Sequence, residues 1–281
     1  MADNTSMAQI SWQQRMITWL HHRPGGWLLV FAVKQAWAAL FGGLMLGAII
    51  VTRYIGLPWL PRYDWLFLYA LVVQIGMLAF KLERPREVIA IVLFHLVGLV
   101  MELFKTSATI QSWQYPGEAF FSVGNVPLFS GFMYAAVGSY IARAWRVLNL
   151  EFYDYPRRLF TVLLALAIYC NFFTHHYTYD IRLWLFAAAV VLYGRTEVGY
   201  VVYRKRRRMP LPVGFGLIAF FIWVAENIGT YTKGWLYPGQ AAQWHIVSPH
   251  KFGSWLLLMI ISFIMIDLLY AFYNRQAKRH I

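Results

Sequence analysis

The chain has 281 residues, of which 60% are hydrophobic, 19% aromatic and only 13% charged. A soluble domain carries about 25% charged residues, so this composition excludes an ordinary water-soluble globular protein and makes lipid the main solvent. The formal net charge of +13 does not point to nucleic acid, because the basic residues lie in short segments between apolar runs, the pattern that orients a membrane protein. A lone cysteine, Cys170, excludes an intramolecular disulfide.

Residues 1–26 are polar and end in Arg23-Pro24-Gly25-Gly26, without the short apolar core and small-residue cleavage site of a secretory signal. Ile10, Trp12, Met16, Trp19 and Leu20 would share one face of a helix lying in the membrane interface. A crossing needs about 20 apolar residues to cover about 30 Å of hydrocarbon. Apolar runs predict eight spans, near 35–52, 65–80, 88–104, 126–142, 159–174, 181–196, 211–228 and 252–273, the fifth and sixth being short. Pro58, Pro61, Pro116, Pro127, Pro156, Pro210, Pro238 and Pro249 fall in or beside the connections, where a missing N–H does least harm. The expected fold is all-α, a polytopic transmembrane helix bundle.

Orientation follows from the basic residues. Placing both termini and the loops after spans two, four and six on one side gathers 19 of the 25 Lys and Arg residues there, leaving Arg53, Arg62, Lys105, Arg182, Lys233 and Lys251 opposite. That asymmetry predicts cytoplasmic termini. The run Arg204-Lys205-Arg206-Arg207-Arg208 reads first as a topology determinant. It is also a candidate site for anionic lipid, at about 1 kcal/mol per residue near the surface.

The chain repeats itself. Trp113-Gln114-Tyr115-Pro116-Gly117 recurs as Trp235-Leu236-Tyr237-Pro238-Gly239, an offset of 122, and Pro127 and Gly131 recur as Pro249 and Gly253. Glu102 and Thr106 match Glu226 and Thr230 at an offset of 124, and Tyr63-Asp64 matches Tyr179-Asp180. These matches predict two four-span repeats in the same orientation, related by an axis along the membrane normal. The expected boundaries are an N-terminal segment 1–26, repeats 27–150 and 151–274, and a tail 275–281.

The repeat puts Glu102 and Glu226 near the outer ends of spans three and seven, where an ionisable group normally faces the bundle interior and marks a functional path. His95, Glu102 and Thr106 share a helix face, and Lys105 at i+3 is placed to pair with the Glu102 carboxylate. Three readings compete. In the first, Glu102 and Glu226 do acid–base work on a lipophilic or amphiphilic molecule such as a prenyl lipid, two carboxylates in unlike surroundings dividing the acid and base roles. His95 and Lys105 tune Glu102, while Trp113, Tyr115, Asn125, Thr106, Asn227, Thr230, Tyr231, Trp235 and Tyr237 contact the ligand in an outward-facing pocket between spans three, four, seven and eight. In the second, His175, His176, His245 and His250 with a carboxylate bind a metal. In the third, the polar groups tie loops to helix ends and do no chemistry. A transport or gating role uses the same residues. No phosphate-cradling glycine loop, nucleophile elbow or paired-cysteine motif is present, and no cofactor is indicated.

The strings Pro61-Arg62-Tyr63-Asp64, Phe94-His95, Met101-Glu102-Leu103-Phe104-Lys105, the stretch from Val126 to Tyr134, that from Asn171 to His176, and Trp223-Val224-Ala225-Glu226-Asn227 resemble the bacterial YoaT-like family of integral membrane proteins of unknown function, over roughly residues 60–270. The resemblance implies a bacterial inner-membrane protein and supplies no catalytic residues. A shorter pattern is similar to the membrane-bound carotenoid hydratase and lycopene cyclase group. It consists of Glu102, Tyr115 and then Val126-Pro127-Leu128, with Glu226 and Tyr237 in the second half. That group implies carboxylates acting on a polyene, and Val247-Ser248-Pro249-His250 departs from its Val-Pro-Leu.

Overall fold

The computed structural model describes residues 25–279 apart from 57 and 204, so the expected interfacial helix around Trp12 and Trp19 lies outside the described residues. Nine α-helices are described: α1 (Gly26–Ala38), α2 (Leu40–Tyr54), α3 (Arg62–Ala79), α4 (Pro85–Lys105), α5 (Phe129–Val147), α6 (Arg158–Thr174), α7 (Arg182–Tyr193), α8 (Leu211–Tyr231) and α9 (His250–Arg279). Each predicted span falls on one of the helices α2 to α9, the first also taking in the end of α1. Among the described residues, three stretches are long and apolar enough to cross a membrane: Glu87–Lys105, Leu211–Tyr231 and His250–Tyr273. The α1–α2 pair, bent by 71°, adds a fourth if taken as one span. These helices make the chain a membrane protein. Helices α6 and α7, of 17 and 12 residues, reach only about 25 and 18 Å at 1.5 Å per residue.

Local chemistry sets several helix boundaries. Pro85 opens α4 at a position where its missing N–H is not needed, and the Glu87 carboxylate accepts the Arg84 N–H at 2.9 Å. Pro210 and Pro212 punctuate the start of α8 in the same way. Helices α4 and α5 then pack backbone to backbone, as small residues in membrane helices permit. A Cβ at Gly98 would lie 2.5 Å from the Tyr134 ring, and one at Gly131 would lie 2.4 Å from His95 Nδ1.

Two small sheets were not expected from the apolar pattern. Strands β1 (Ser122–Val123) and β2 (Val126–Pro127) form a hairpin turned at Gly124. Strands β3 (Glu151–Tyr153), β4 (Glu197–Val202) and β5 (Lys205–Pro210) form an antiparallel sheet in that order. The basic run is therefore mostly strand and not free loop. Arg206 pairs with Glu151 at 2.7 Å, Arg208 with Glu197 at 3.4 Å, and Arg207 covers the Trp27 ring at 3.9 Å.

The sheet, the start of α1 and the α3–α4 turn gather at one end of the bundle. Lys34 donates to the carbonyls of Val147 and Val201 at 3.1 and 2.9 Å. Arg143, almost fully buried, donates to Leu82 O and Trp37 O, and Arg146 pairs with Glu87 at 2.8 Å. The loops after α4, α6 and α8 meet at the other end. The largest apolar core includes Phe94 and Ala135 from the first half and Leu164, Phe215 and Ile260 from the second.

Candidate functional site

Glu102 and Glu226 lie in the last turn or so of α4 and α8, at the same end of the bundle, each only 4% exposed. A carboxylate buried in apolar surroundings is stable only when its oxygens are hydrogen-bonded, and the loop that follows each helix supplies the donors. The Glu102 Oε2 accepts Trp113 Nε1–H and the Tyr115 hydroxyl, both at 2.8 Å, and its Oε1 accepts the Tyr134 hydroxyl at 2.8 Å. Oε1 of Glu226 accepts Trp235 Nε1–H at 2.7 Å and the Tyr237 hydroxyl at 2.6 Å. Neither carboxylate forms an ion pair among the described residues.

The recurring Trp-x-Tyr-Pro-Gly segments thus perform the same task twice, each folding back onto the glutamate of its own helix. They also touch each other. Gln114 N–H donates to Leu236 O and Leu236 N–H to Gln114 O, both at 2.9 Å, an isolated antiparallel bridge. The Trp113 and Tyr237 rings meet edge to face at 6.3 Å. Lys251, at the start of α9, holds its ammonium 4.3 Å from the Tyr237 ring centre and 5.9 Å from that of Trp113. Burial first, and the adjoining carboxylate second, push the hydroxyls of Tyr115 and Tyr237 well above the ordinary phenol range. Both remain protonated donors.

Lys105 does not pair with Glu102. Glu102 turns to the aromatic loop, whereas the Lys105 ammonium reaches α6 and donates to His176 Nε2 at 2.8 Å and to His175 Nε2 at 3.4 Å. His175 Nδ1 contacts Asn171 O at 2.7 Å, an acceptor, which assigns that nitrogen the proton and leaves Nε2 to accept. Burial, followed by the Lys105 charge, pushes His176 down to about 4, and His175 is lowered for the same leading reason. Both imidazoles are neutral at physiological pH. The two Nε2 lone pairs converge on an ammonium where a metal ion would have to sit. Among the described residues no group of three or more His, Cys, Asp or Glu side chains is placed to hold a metal. His245 belongs to the last loop and His250 opens α9, with His245 Nδ1 near Ile246 O and the His250 N–H bonded to Ser248 Oγ.

His95 sits two turns below Glu102 and is not its hydrogen-bond partner. Its ring packs edge-on against Phe132 at 4.9 Å, with Nδ1 buried and unbonded. The remaining polar candidates fasten loops. Thr106 Oγ1–H donates to Glu102 O at 2.8 Å, and Asn125 Nδ2–H donates to Thr106 O at 2.6 Å. Asn227 Oδ1 accepts the Val247 N–H at 2.8 Å, Thr230 Oγ1 accepts Trp244 Nε1–H at 3.1 Å, and Tyr231 lies edge-on to Trp244 at 5.2 Å.

Tyr134, the third donor to Glu102, was not singled out in the sequence, because it arrives from α5 through the close contact at Gly98. In the sequence Asp64 stands out only as a repeat match and as part of a family-like string, with no role attached. Its buried carboxylate accepts the N–H groups of Phe120 and Phe121 at 2.9 and 2.8 Å, which fixes the chain beyond the first aromatic loop. Arg62 and Tyr63 connect the halves: Arg62 donates to Thr232 O and Lys233 O at 3.0 Å each, and the Tyr63 hydroxyl to Gly234 O at 2.9 Å.

Two cavities among the described residues are apolar. One, of about 10 Å³, borders Tyr134 between α4, α5, α6 and α9, and the other, of about 60 Å³, lies beneath the three-stranded sheet. The glutamates themselves face the packed aromatic rings.

Comparison with known proteins gives a consistent picture. Residues 27–263 match the family model described as "Protein of unknown function (DUF817)". The chain is 46% identical over 236 residues to the uncharacterized protein YoaT of Bacillus subtilis (strain 168), covering 84% of this chain and 89% of that one. No solved structure matches. With most of its length matched by the family model and by this relative, the chain belongs to the DUF817 family of YoaT-like proteins.

Proposed function

We propose that the chain is an eight-crossing inner-membrane protein whose paired glutamates form a protonatable centre that binds or acts on a lipophilic, isoprenoid-like small molecule from the outer side. The observation that carries this reading is the neutral shell around each carboxylate. A buried carboxyl held by an ion pair cannot be protonated without stranding its partner. Glu102 and Glu226 are held instead by indole and phenol groups. A phenol hydroxyl can donate or accept, whereas an indole N–H only donates. When Glu102 takes a proton on Oε1, Tyr134 can reverse its hydrogen bond while Trp113 and Tyr115 continue to serve Oε2. Glu226 receives both donors on Oε1, so a proton on Oε2 requires no reversal.

The Gln114–Leu236 bridge supports the internal duplication, because two residues equivalent at the 122 offset exchange hydrogen bonds reciprocally, as elements related by a two-fold axis do. In this reading residues 27–150 and 151–274 are the repeats, flanked by cytoplasmic segments 1–26 and 275–281. Clustering of the α3–α4, α5–α6 and α7–α8 connections at one end supports the orientation read from the basic residues. The Arg206–Arg208 strand there is the proposed contact with anionic lipid.

Glu102→Gln and Glu226→Gln keep an acceptor for the aromatic donors but remove the protonatable oxygen. Each should abolish turnover or retention of a co-purifying isoprenoid, followed by native mass spectrometry, without lowering membrane yield. Normal retention and activity in both variants would sink the proposal. A transport role is favoured by a different observation: α4 and its flanking turn carry Glu83 and Glu87 at one end, His95 midway and Glu102 at the other. It predicts gradient-dependent flux in proteoliposomes, and a flux that stays flat with and without a gradient removes it. A purely structural role predicts lost assembly in either Gln variant.

A further inference from the structure

Beside the glutamate pair lies a second cluster with a different chemistry. Lys105 is buried at 5% exposure, and no carboxylate lies within ion-pair distance of it among the described residues. Its hydrogen-bond partners are the two neutral imidazoles, and its ammonium also lies 5.7 Å from the Phe172 ring centre. The charged groups near enough to affect it are Lys251, Arg182 and Asp180. Asp180 is already engaged: it pairs with Arg182 at 3.1 Å and accepts Asn171 Nδ2–H at 3.1 Å. Arg182 packs along Gly253, two residues from Lys251. The ends of α4 and α6 and the starts of α7 and α9 therefore bring three cations and two imidazoles together around one carboxylate.

An ammonium removed from water without a counter-ion is strongly unfavourable, and cations facing one another add to that. A bound anion would relieve both. Its position is constrained. His176 is exposed and Arg182 partly exposed, while Lys105 lies beneath them, so the opening faces away from the bundle core. The exposed face of α7, with Leu183, Trp184, Val190 and Val191, starts beside Arg182 and runs down from this end. A headgroup at the cluster would leave its apolar chain along that face, in hydrocarbon, and needs no internal cavity.

We propose that Lys105, Arg182, Lys251 and His176 form an anion site for the phosphate headgroup of an amphiphile, which the neighbouring glutamate centre then addresses. This deepens the functional reading above and rests on it for the link between the two sites. A phosphate offers several acceptor oxygens, enough to accept from more than one of these cations at once. Lys251 joins the two regions, since it covers the Tyr237 ring whose hydroxyl holds Glu226.

The test uses the full chain in neutral detergent. Native mass spectrometry compares retention of phosphatidic acid with that of phosphatidylcholine, and thermal unfolding is followed against inorganic phosphate and diphosphate. The expected result is preferential retention of phosphatidic acid, weakened at least tenfold in Lys105→Gln and in Arg182→Gln and restored in Lys105→Arg. Stabilisation by inorganic phosphate alone, lost in the same variants, identifies the free anion as the source and still supports the site. Two results overturn the proposal: no preference for phosphatidic acid together with no response to inorganic phosphate, or a preference that survives both substitutions and disappears when Arg206 and Arg208 are replaced by Gln. Arg182→Gln, at a partly exposed position, keeps the test decisive if Lys105→Gln fails to fold. The wild-type titration requires neither variant. If Glu102→Gln and Glu226→Gln lose nothing while headgroup retention follows Lys105, the glutamate reading fails and the anion site stands.

Discussion

The two glutamate sites are built to the same plan, and three of their differences set their surroundings apart. Glu102 has three donors and Glu226 has two from its own loop, because the 122 offset places Leu256 where the first half has Tyr134. The same offset sets Lys251 where the first half has Phe129. Phe129 packs edge-on to Tyr115 at 5.9 Å, and Lys251 covers Tyr237 at 4.3 Å. At the 124 offset Lys105 corresponds to Gly229, where a Cβ would lie 2.3 Å from the Trp235 ring. One half therefore places its extra phenol on the carboxylate and its cation outside, toward α6. The other brings a cation over the aromatic loop and closes the space beneath with glycine. A shared scaffold can thus hold two carboxyl groups in different electrostatic surroundings, the condition for dividing acid and base roles.

The largest effect should come from removing the acceptors altogether. Glu102→Ala strands three buried donors and Glu226→Ala two. Each orphaned group costs about 1–3 kcal/mol, so the losses should be roughly 3–9 and 2–6 kcal/mol respectively, measured as unfolding free energy in detergent. Double substitution should fall short of the sum, because the loops share the Gln114–Leu236 bridge. If Glu226→Ala proves the more damaging, the third donor is not what distinguishes the sites.

A smaller effect sharpens the comparison. Lys251→Phe gives the second half the residue that the first half carries. It should cost on the order of 1 kcal/mol, the size of a cation–π contact at a partly exposed position. The Tyr237–Glu226 hydrogen bond should survive, seen as unchanged near-ultraviolet circular dichroism of the aromatic loop. A loss several times larger would show that Lys251 serves Glu226 as a counter-charge, and that the second carboxylate is permanently ionised.

Much of this architecture was legible in the sequence, and the reasons are physical. Apolar runs located the helices because hydrocarbon tolerates few alternatives to an internally bonded backbone. The Trp-x-Tyr-Pro-Gly recurrence pointed to Glu102 and Glu226 because loop and helix are neighbours in the chain. Partners remote in sequence were not legible. Tyr134 reaches Glu102 across 32 residues, and Lys105 reaches His176 across 71; the i+3 spacing suggested Glu102 for Lys105 because only local geometry was in view. The three-stranded sheet escaped notice for a related reason. Lys205–Pro210 carries charge where strands usually show alternation, and its pairing comes from β4. The length of α7 was the opposite case, a short apolar run that folds as a short helix.

The smallest predicted effect concerns the Lys105–His176 contact, whose lysine is replaced by Gly229 at the equivalent place in the second half. His176 in an unfolded chain takes its proton near 6.5, whereas in the folded protein burial and Lys105 lower that to about 4. Between these values the unfolded state binds more protons, so stability rises with pH across this window and falls as the solution is acidified through it. The His176 contribution is fully present above about 6.5, declines as pH falls toward 4 and is gone below it. Burial of the ring is only partial and it stays largely exposed, which makes the effect small and dependent on salt. His176→Gln keeps an amide oxygen to accept from Lys105 but cannot be protonated. Melting temperatures measured from pH 7 to pH 4 should therefore fall less steeply in that variant than in the wild type. Parallel slopes would mean that the Lys105–His176 contact does not hold the imidazole neutral, and that the acid sensitivity of this end resides in Asp180 instead, whose carboxyl is held below its ordinary range.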